Sequence, residues 1–214
     1  MNIAIFGASG ATGRLLTARC LEAGHQVTAL VRTPAAFAYR DRVRVIQGSA
    51  FDPAPVRQTV GGADAVFSAL GTRTPFRNAN VLPRAVPLII DAMKQTGVRR
   101  IIALGSAGAL DADAALRRQS TLRRWMIRNF FMTLLKWPVA EQKAQYAALS
   151  ASGLDWTMAL PPMLTNTPAK GSYRIDGEAL PPNASRISRE DVAAFMMQQL
   201  DNPQWVRKGV YIAY

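Results

Sequence analysis

A short apolar run, Ile3-Ala4-Ile5-Phe6, passes directly into Gly7-Ala8-Ser9-Gly10-Ala11-Thr12-Gly13, after which Leu15, Leu16, Ala18 and Leu21 recur at helical spacing. A buried strand that turns through glycines into a helix leaves few folds open. In that setting Gly7 permits the tight turn out of the strand, Gly10 lets backbone approach a diphosphate, and Gly13 lets helix and strand pack closely. The amides of Gly7 to Gly13, with the positive end of the helix dipole behind them, then form a cradle for an anion.

Downstream, short apolar runs alternate with longer amphipathic ones, the pattern of parallel strands joined by covering helices. It predicts strands near 2–6, 27–31, 43–46, 65–69, 100–104, 155–160 and 209–213, and helices near 11–23, 53–60, 82–96, 117–135, 139–151 and 188–201. Gly97 sits where the third helix should stop, and Ser188 with Asp191 has the form of a capping box opening the last. A chain of 214 residues buries about 70% of its unfolded surface and needs no staple. The expected architecture is a single α/β domain over residues 1–214, a Rossmann-type doubly wound parallel sheet with helices on both faces. Residues 161–183, proline-rich and without a period, are expected as an ordered loop region walling a binding site.

Composition narrows the chemistry. Cys20 and His25 are the only residues of their kinds, which argues against a disulfide framework, a multi-cysteine zinc site and a two-histidine metal site. No metal is expected. The apolar run at 3–6 is too short for the core of a signal peptide, so the expected location is cytoplasmic. Twenty-six Lys plus Arg against 14 Asp plus Glu leave a net charge of +12, which invites phosphates, nucleic acid or anionic membrane. Part of that charge has an address. Leu30-Val31-Arg32-Thr33 ends the second strand, where an NAD site offers an acidic side chain to the ribose hydroxyls. Arginine there pairs bidentately with a 2′-phosphate, which favours NADP(H).

Taken in order, Gly7 to Gly13, Leu30-Val31-Arg32, Gly62 to Val66, Leu70-Gly71-Thr72-Arg73, Ala92-Met93-Lys94, Gly105-Ser106-Ala107, Ser152-Gly153-Leu154, Pro161-Pro162 and Gly171-Ser172-Tyr173 resemble an atypical short-chain dehydrogenase/reductase. The resemblance is to the NAD(P)H-binding, NmrA-like group, and within it to the biliverdin reductase B/flavin reductase branch. It implies that Gly7, Gly10, Ala11, Thr12 and Gly13 touch the pyrophosphate and Arg32 the 2′-phosphate. It also implies an adenine contact at Gly48-Ser49-Ala50, where many relatives carry Asp at the position of Ser49. Ala69, Leu70, Gly71, Thr72 and Arg73 would lie beside the nicotinamide ribose, with Ser106, Pro161 and Met163 at the ends of the fifth and sixth strands.

A proton-donating Tyr-x-x-x-Lys pair is absent: Val43, Ser150 and Gly177 stand four residues after Tyr39, Tyr146 and Tyr173. Reduction of an ordinary ketone, which needs a positioned proton donor, is therefore disfavoured. Flavins, quinones and linear tetrapyrroles accept hydride into a conjugated system and take their proton from solvent, so positioning supplies most of the catalysis. For such an acceptor, Ser106 and Arg73 are the candidate catalytic residues, through a hydrogen bond and through charge stabilisation. Lys143 is a further candidate near the nicotinamide ribose, set against a solvated helix face.

Residues 115–137 carry six basic and no acidic residues interleaved with Trp125, Phe130, Phe131 and Trp137. On a helix Arg117, Arg124 and Arg128 share one side, while Met126, Ile127, Phe130 and Leu134 occupy the other. Three uses stay open: an apolar cover for the sheet or pocket, a membrane-surface helix making peripheral contact, or a dimer contact. Monomer and homodimer are both admitted. Nucleic acid fits least, because no recognised module accompanies the arginines.

Overall fold

The computed structural model describes residues 1–72, 79–109, 116–127, 129 and 136–214, with only the backbone of Arg123. β1 (Asn2–Phe6) is buried on both faces, Ile3 and Ile5 entering one apolar layer and Ala4 and Phe6 the other. Only an inner strand covered on both sides can use such a run. It pairs in parallel with β2 (Gln26–Val31) and with β4 (Ala65–Ser68), Ile3 standing opposite both Val27 and Ala65. β3 (Arg44–Gln47) lies outside β2, and β5 (Arg100–Leu104) and β6 (Asp155–Leu160) extend the sheet beyond β4.

Two short strands, β7 (Met163–Thr165) and β9 (Arg186–Ser188), pair with each other apart from the main sheet. β10 (Lys208–Ala213) runs parallel to β6, and β8 (Arg174–Asp176) closes that edge antiparallel to β10. The order is β3-β2-β1-β4-β5-β6-β10-β8. The direction of winding reverses between β1 and β4, and there the carboxyl ends of the strands leave a crevice.

Helices cover both faces. α1 (Ala11–Glu22) and α6 (Arg189–Gln198) contribute Leu16, Cys20, Val192, Phe195 and Met196 to one layer, each fully buried. α2 (Pro53–Val60), α3 (Val81–Thr96) and α5 (Lys136–Ala151) contribute Val56, Ile89, Met93 and Leu149 to the other. Each large apolar side chain taken out of water in this way contributes about 1.5–3 kcal/mol before entropy is counted. Arg100, at the start of β5, ties strands to helix by donating to the Asp155 carbonyl at 2.8 Å, Thr157 Oγ1 at 2.9 Å and the Gln199 carbonyl at 2.6 Å. Burial lowers its pKa, partly opposed by Asp155.

The expected doubly wound sheet is present, with three local corrections. Residues 161–183 are not all loop: β7 and β8 form there, β8 because Ile175 and its neighbours complete the open edge of β10. The helix expected at 139–151 starts at Lys136, since Pro138 in its first turn has no helical N–H to lose. The helix expected at 117–135 is described only as α4 (Thr121–Met126); Arg128, Phe130 and Leu134 lie outside the described residues. Residues 117–119 instead dock on β8 and its following loop, Arg117 with Glu178, Arg118 with Asp176, and Gln119 Nε2 on the Leu180 and Pro181 carbonyls at 3.1 and 2.8 Å. Just past α4 Ile127 packs onto the core, whereas Leu122, Trp125 and Met126 on the helix face solvent. No helix among the described residues is long and apolar enough to cross a membrane.

Candidate functional site

The turn from β1 into α1 leaves no room for a side chain at Gly7 or Gly13. Gly7 has φ +80°, and a Cβ on it would stand 2.5 Å from the Ala69 carbonyl oxygen; a Cβ on Gly13 would stand 2.0 Å from the Gly7 oxygen. Gly10 N donates to the Gly7 carbonyl at 2.9 Å and closes the turn. Gly10 is also the residue capping α1, in extended backbone and with no side chain to occupy the first-turn amides. Ala8, Thr12 and Gly13 are buried, Ser9 and Gly10 half-buried, and Ala11 exposed. With no acidic residue in the first turn, the amides at Ala11, Thr12 and Gly13 and the helix dipole are left for an anion.

Arg32 follows β2 directly. It is exposed and has no partner among the described residues. The Gly48 amide donates to the Val31 carbonyl at 3.0 Å, which brings Arg32 and Ser49 side by side at the ends of neighbouring strands. Ser49 has local work, its Oγ accepting from the Phe51 amide at 3.1 Å. Ala50 packs against the core. On the other side of the glycine turn Ala69 N donates to the Phe6 carbonyl at 2.9 Å, Leu70 packs on the core, and Gly71 and Thr72 continue outward. Arg73 lies outside the described residues.

Past β5, Gly105 N donates to the Ala159 carbonyl and Ala107 N to the Pro161 carbonyl, each at 2.8 Å. Ser106 and Pro161 are therefore neighbours, at the ends of β5 and β6. The Ser106 hydroxyl is half-buried and unpartnered among the described residues. Met163 begins β7 with its side chain 61% exposed, an open position. Lys143 is exposed, on the solvated face of α5.

One polar contact at this end was not legible in the sequence. Glu141, buried on α5, accepts at Oε2 from the amides of Val81 and Leu82, at 3.0 and 3.1 Å, and so caps α3 from 60 residues away. Asn80, the residue at the cap position, has φ 49° and makes no side-chain cap. No short-range spacing signals such a pairing. An open concavity of about 580 Å³ lies at the opposite, amino end of β1 to β3 and includes Asn2, Gln26, Arg42 and Arg44. An open parallel sheet does not bind nucleotide at that end. No cluster of His, Cys, Asp or Glu among the described residues is placed to hold a metal.

The glycine turn, its free amides and Arg32 fit a dinucleotide whose diphosphate lies on α1, with its adenosine half toward β2 and β3 and its other half toward β4, β5 and β6. Comparison with known proteins agrees on the cofactor class. A family described as NAD(P)H-binding matches residues 7–203. The uncharacterized protein YwnB of Bacillus subtilis is 26% identical over 95% of this chain and 94% of its own. A short-chain dehydrogenase/reductase of Veillonella parvula, solved in complex with NADP, superposes with a TM-score of 0.76 at 24% identity, over 100% of this chain and 94% of that one. ChuY of Escherichia coli O157:H7, an anaerobillin reductase, gives 0.79 at 21% identity, over 100% and 97%. At these identities the two structures share the fold.

Proposed function

The chain belongs to the NAD(P)H-binding family, and from that premise we propose that it is an NADPH-dependent oxidoreductase whose acceptor is a conjugated molecule such as a flavin, a quinone or a linear tetrapyrrole. The observation that carries the reading is the pairing of the Gly7–Gly13 cradle with an acceptor side that lacks a Tyr-x-x-x-Lys proton donor. Bound NADPH supplies hydride. The chain's own part is to hold: the α1 amides take the diphosphate, Arg32 takes the 2′-phosphate and so prefers NADPH over NADH, and Ser106 offers a hydroxyl at the end of β5. An acceptor that draws its proton from water needs no more than this positioning. The NADP-bound neighbour and the anaerobillin reductase support the cofactor and the reaction class. A cytoplasmic location goes with this reading.

The test is NADPH consumption at its absorbance band with excess FMN or menadione. Turnover with either supports the reading. Tight NADPH binding without consumption by FMN, menadione or a bilin overturns it, and makes the chain an NADP(H)-responsive regulator or assembly factor with segment 115–137 as its partner surface.

A further inference from the structure

Gln145 on α5 is 1% exposed, and its Nε2 donates to the Leu104 carbonyl at 3.0 Å and to Oε1 of Gln142, one turn earlier, at 3.2 Å. A buried carboxamide with both N–H groups engaged has a fixed orientation, and here it sets that of its neighbour. Gln142 turns its oxygen inward to Gln145, which leaves its NH2 facing away. Gln142 is half-buried, and that NH2 has no acceptor among the described residues.

Two contacts locate Gln142 over the end of β5. Gln145, three residues after it, reaches Leu104. Val139, three residues before it, has Cγ2 3.2 Å from the point where a Cβ on Gly108 would stand, and Ser106 Oγ lies 4.0 Å from the same point. Residues three apart lie on one helix face, so Gln142 falls between these contacts, above Gly105 and Ser106. Its ionisable neighbours on α5 are turned elsewhere. Glu141 holds the Val81 and Leu82 amides, Lys143 is exposed, and Tyr146 stands edge-on to Trp156 at 5.4 Å. Two unpartnered, uncharged donors, the Ser106 hydroxyl and the Gln142 amide, are thus left at the end of the crevice far from Arg32.

We propose that Gln142 and Ser106 form a neutral donor pair that holds the nicotinamide–ribose half of the cofactor through its hydroxyl and carboxamide oxygens, with Gln145 as the positioning residue that aims Gln142. The assignment rests on cofactor binding and is read from binding, so it stands or falls separately from NADPH turnover. The experiment compares calorimetric affinities for NADP+ and for adenosine 2′,5′-bisphosphate, which lacks the nicotinamide half. Gln142→Ala is expected to weaken NADP+ about five- to tenfold, leaving the bisphosphate within twofold and the melting temperature unchanged. Gln142→Glu, whose carboxylate only accepts, should weaken NADP+ at least as much. Gln145→Met should weaken NADP+ in the wild-type background but add nothing to Gln142→Ala. Unchanged NADP+ affinity in Gln142→Ala, or equal losses for both ligands, would overturn the proposal.

Discussion

The Gly7 carbonyl oxygen lies 2.0 Å from the point where a Cβ on Gly13 would sit, so the first strand and the first helix touch through bare backbone. The nearest obstacles are the carbonyl group of Gly7 and Cα of Ala8, neither of which can swing aside as a flexible side chain would. Gly13→Ala must push α1 away from β1, and overpacking of this kind costs about 1–3 kcal/mol. The same displacement moves the first-turn amides off the diphosphate. Urea denaturation should show the lost stability, and NADP+ titration at least a tenfold loss of affinity; a variant as stable and as tight as wild type would refute the close packing.

Arg32 stands at the end of β2 with no partner among the described residues. A side chain that holds nothing in the free protein can be removed without unfolding it. Arg32→Ala should leave the melting temperature within error while weakening NADPH about ten- to a hundredfold and NADH little, as expected for the loss of charge-assisted bonds to a phosphate. Equal losses for the two cofactors, measured by fluorescence titration, would show that Arg32 makes no contact with the 2′-phosphate.

Periodicity made the seven strands and most helices legible, because a run such as Ile3–Phe6 that serves a two-faced sheet has to be apolar throughout. The cradle was legible for a related reason: Gly7 and Gly13 are positions where backbone meets backbone. What escaped depends on contacts distant in sequence. β8 is three residues long and becomes a strand only because β10 offers an edge. Glu141 caps α3, and Gln145 reaches Leu104, across 60 and 41 residues. No local pattern encodes such pairs. Ser188 shows both sides of this. Its cap bond to the Asp191 amide at 3.0 Å was expected, but Asp191 does not return a bond to the Ser188 amide. That amide donates to the Tyr214 hydroxyl instead.

Cys20 is fully buried between α1 and α6, its Sγ 3.5 Å from Met197 Sδ, and burial pushes its thiol pKa up to about 12. At pH 8 the folded protein holds almost no thiolate, the form that reacts. Ellman's reagent should therefore leave the native chain unlabelled and modify one thiol in 6 M guanidinium. Rapid labelling without denaturant would contradict the packing of α1 on α6.

Asp191, buried at the start of α6, gathers four donors: the Tyr214 hydroxyl at 2.5 Å, Ser188 Oγ at 3.0 Å, and the amides of Lys170 and Gly171 at 2.8 and 3.1 Å. Burial raises its pKa, but the bonds from Tyr214, Lys170, Ser188 and Gly171 together outweigh burial and leave it below the ordinary carboxylate value. A pKa lower in the folded than in the unfolded chain means that the unfolded state binds the proton more readily. The stability this gives is fully present above the unfolded value of about 3.9 and is lost as pH falls through the folded one. Asp176 is also held low: burial raises its pKa, but the Glu178 and Ala179 amides with Arg118 outweigh burial and lower it. Part of the acid-side loss will therefore survive any change at 191. Asp191→Asn should cost about 2 kcal/mol at pH 7, where a charge-accepting hub is lost. Its urea midpoint should also fall less steeply than wild type between pH 5 and pH 3. Parallel curves for the two proteins over that range would mean that Asp191 is not held ionised by these donors.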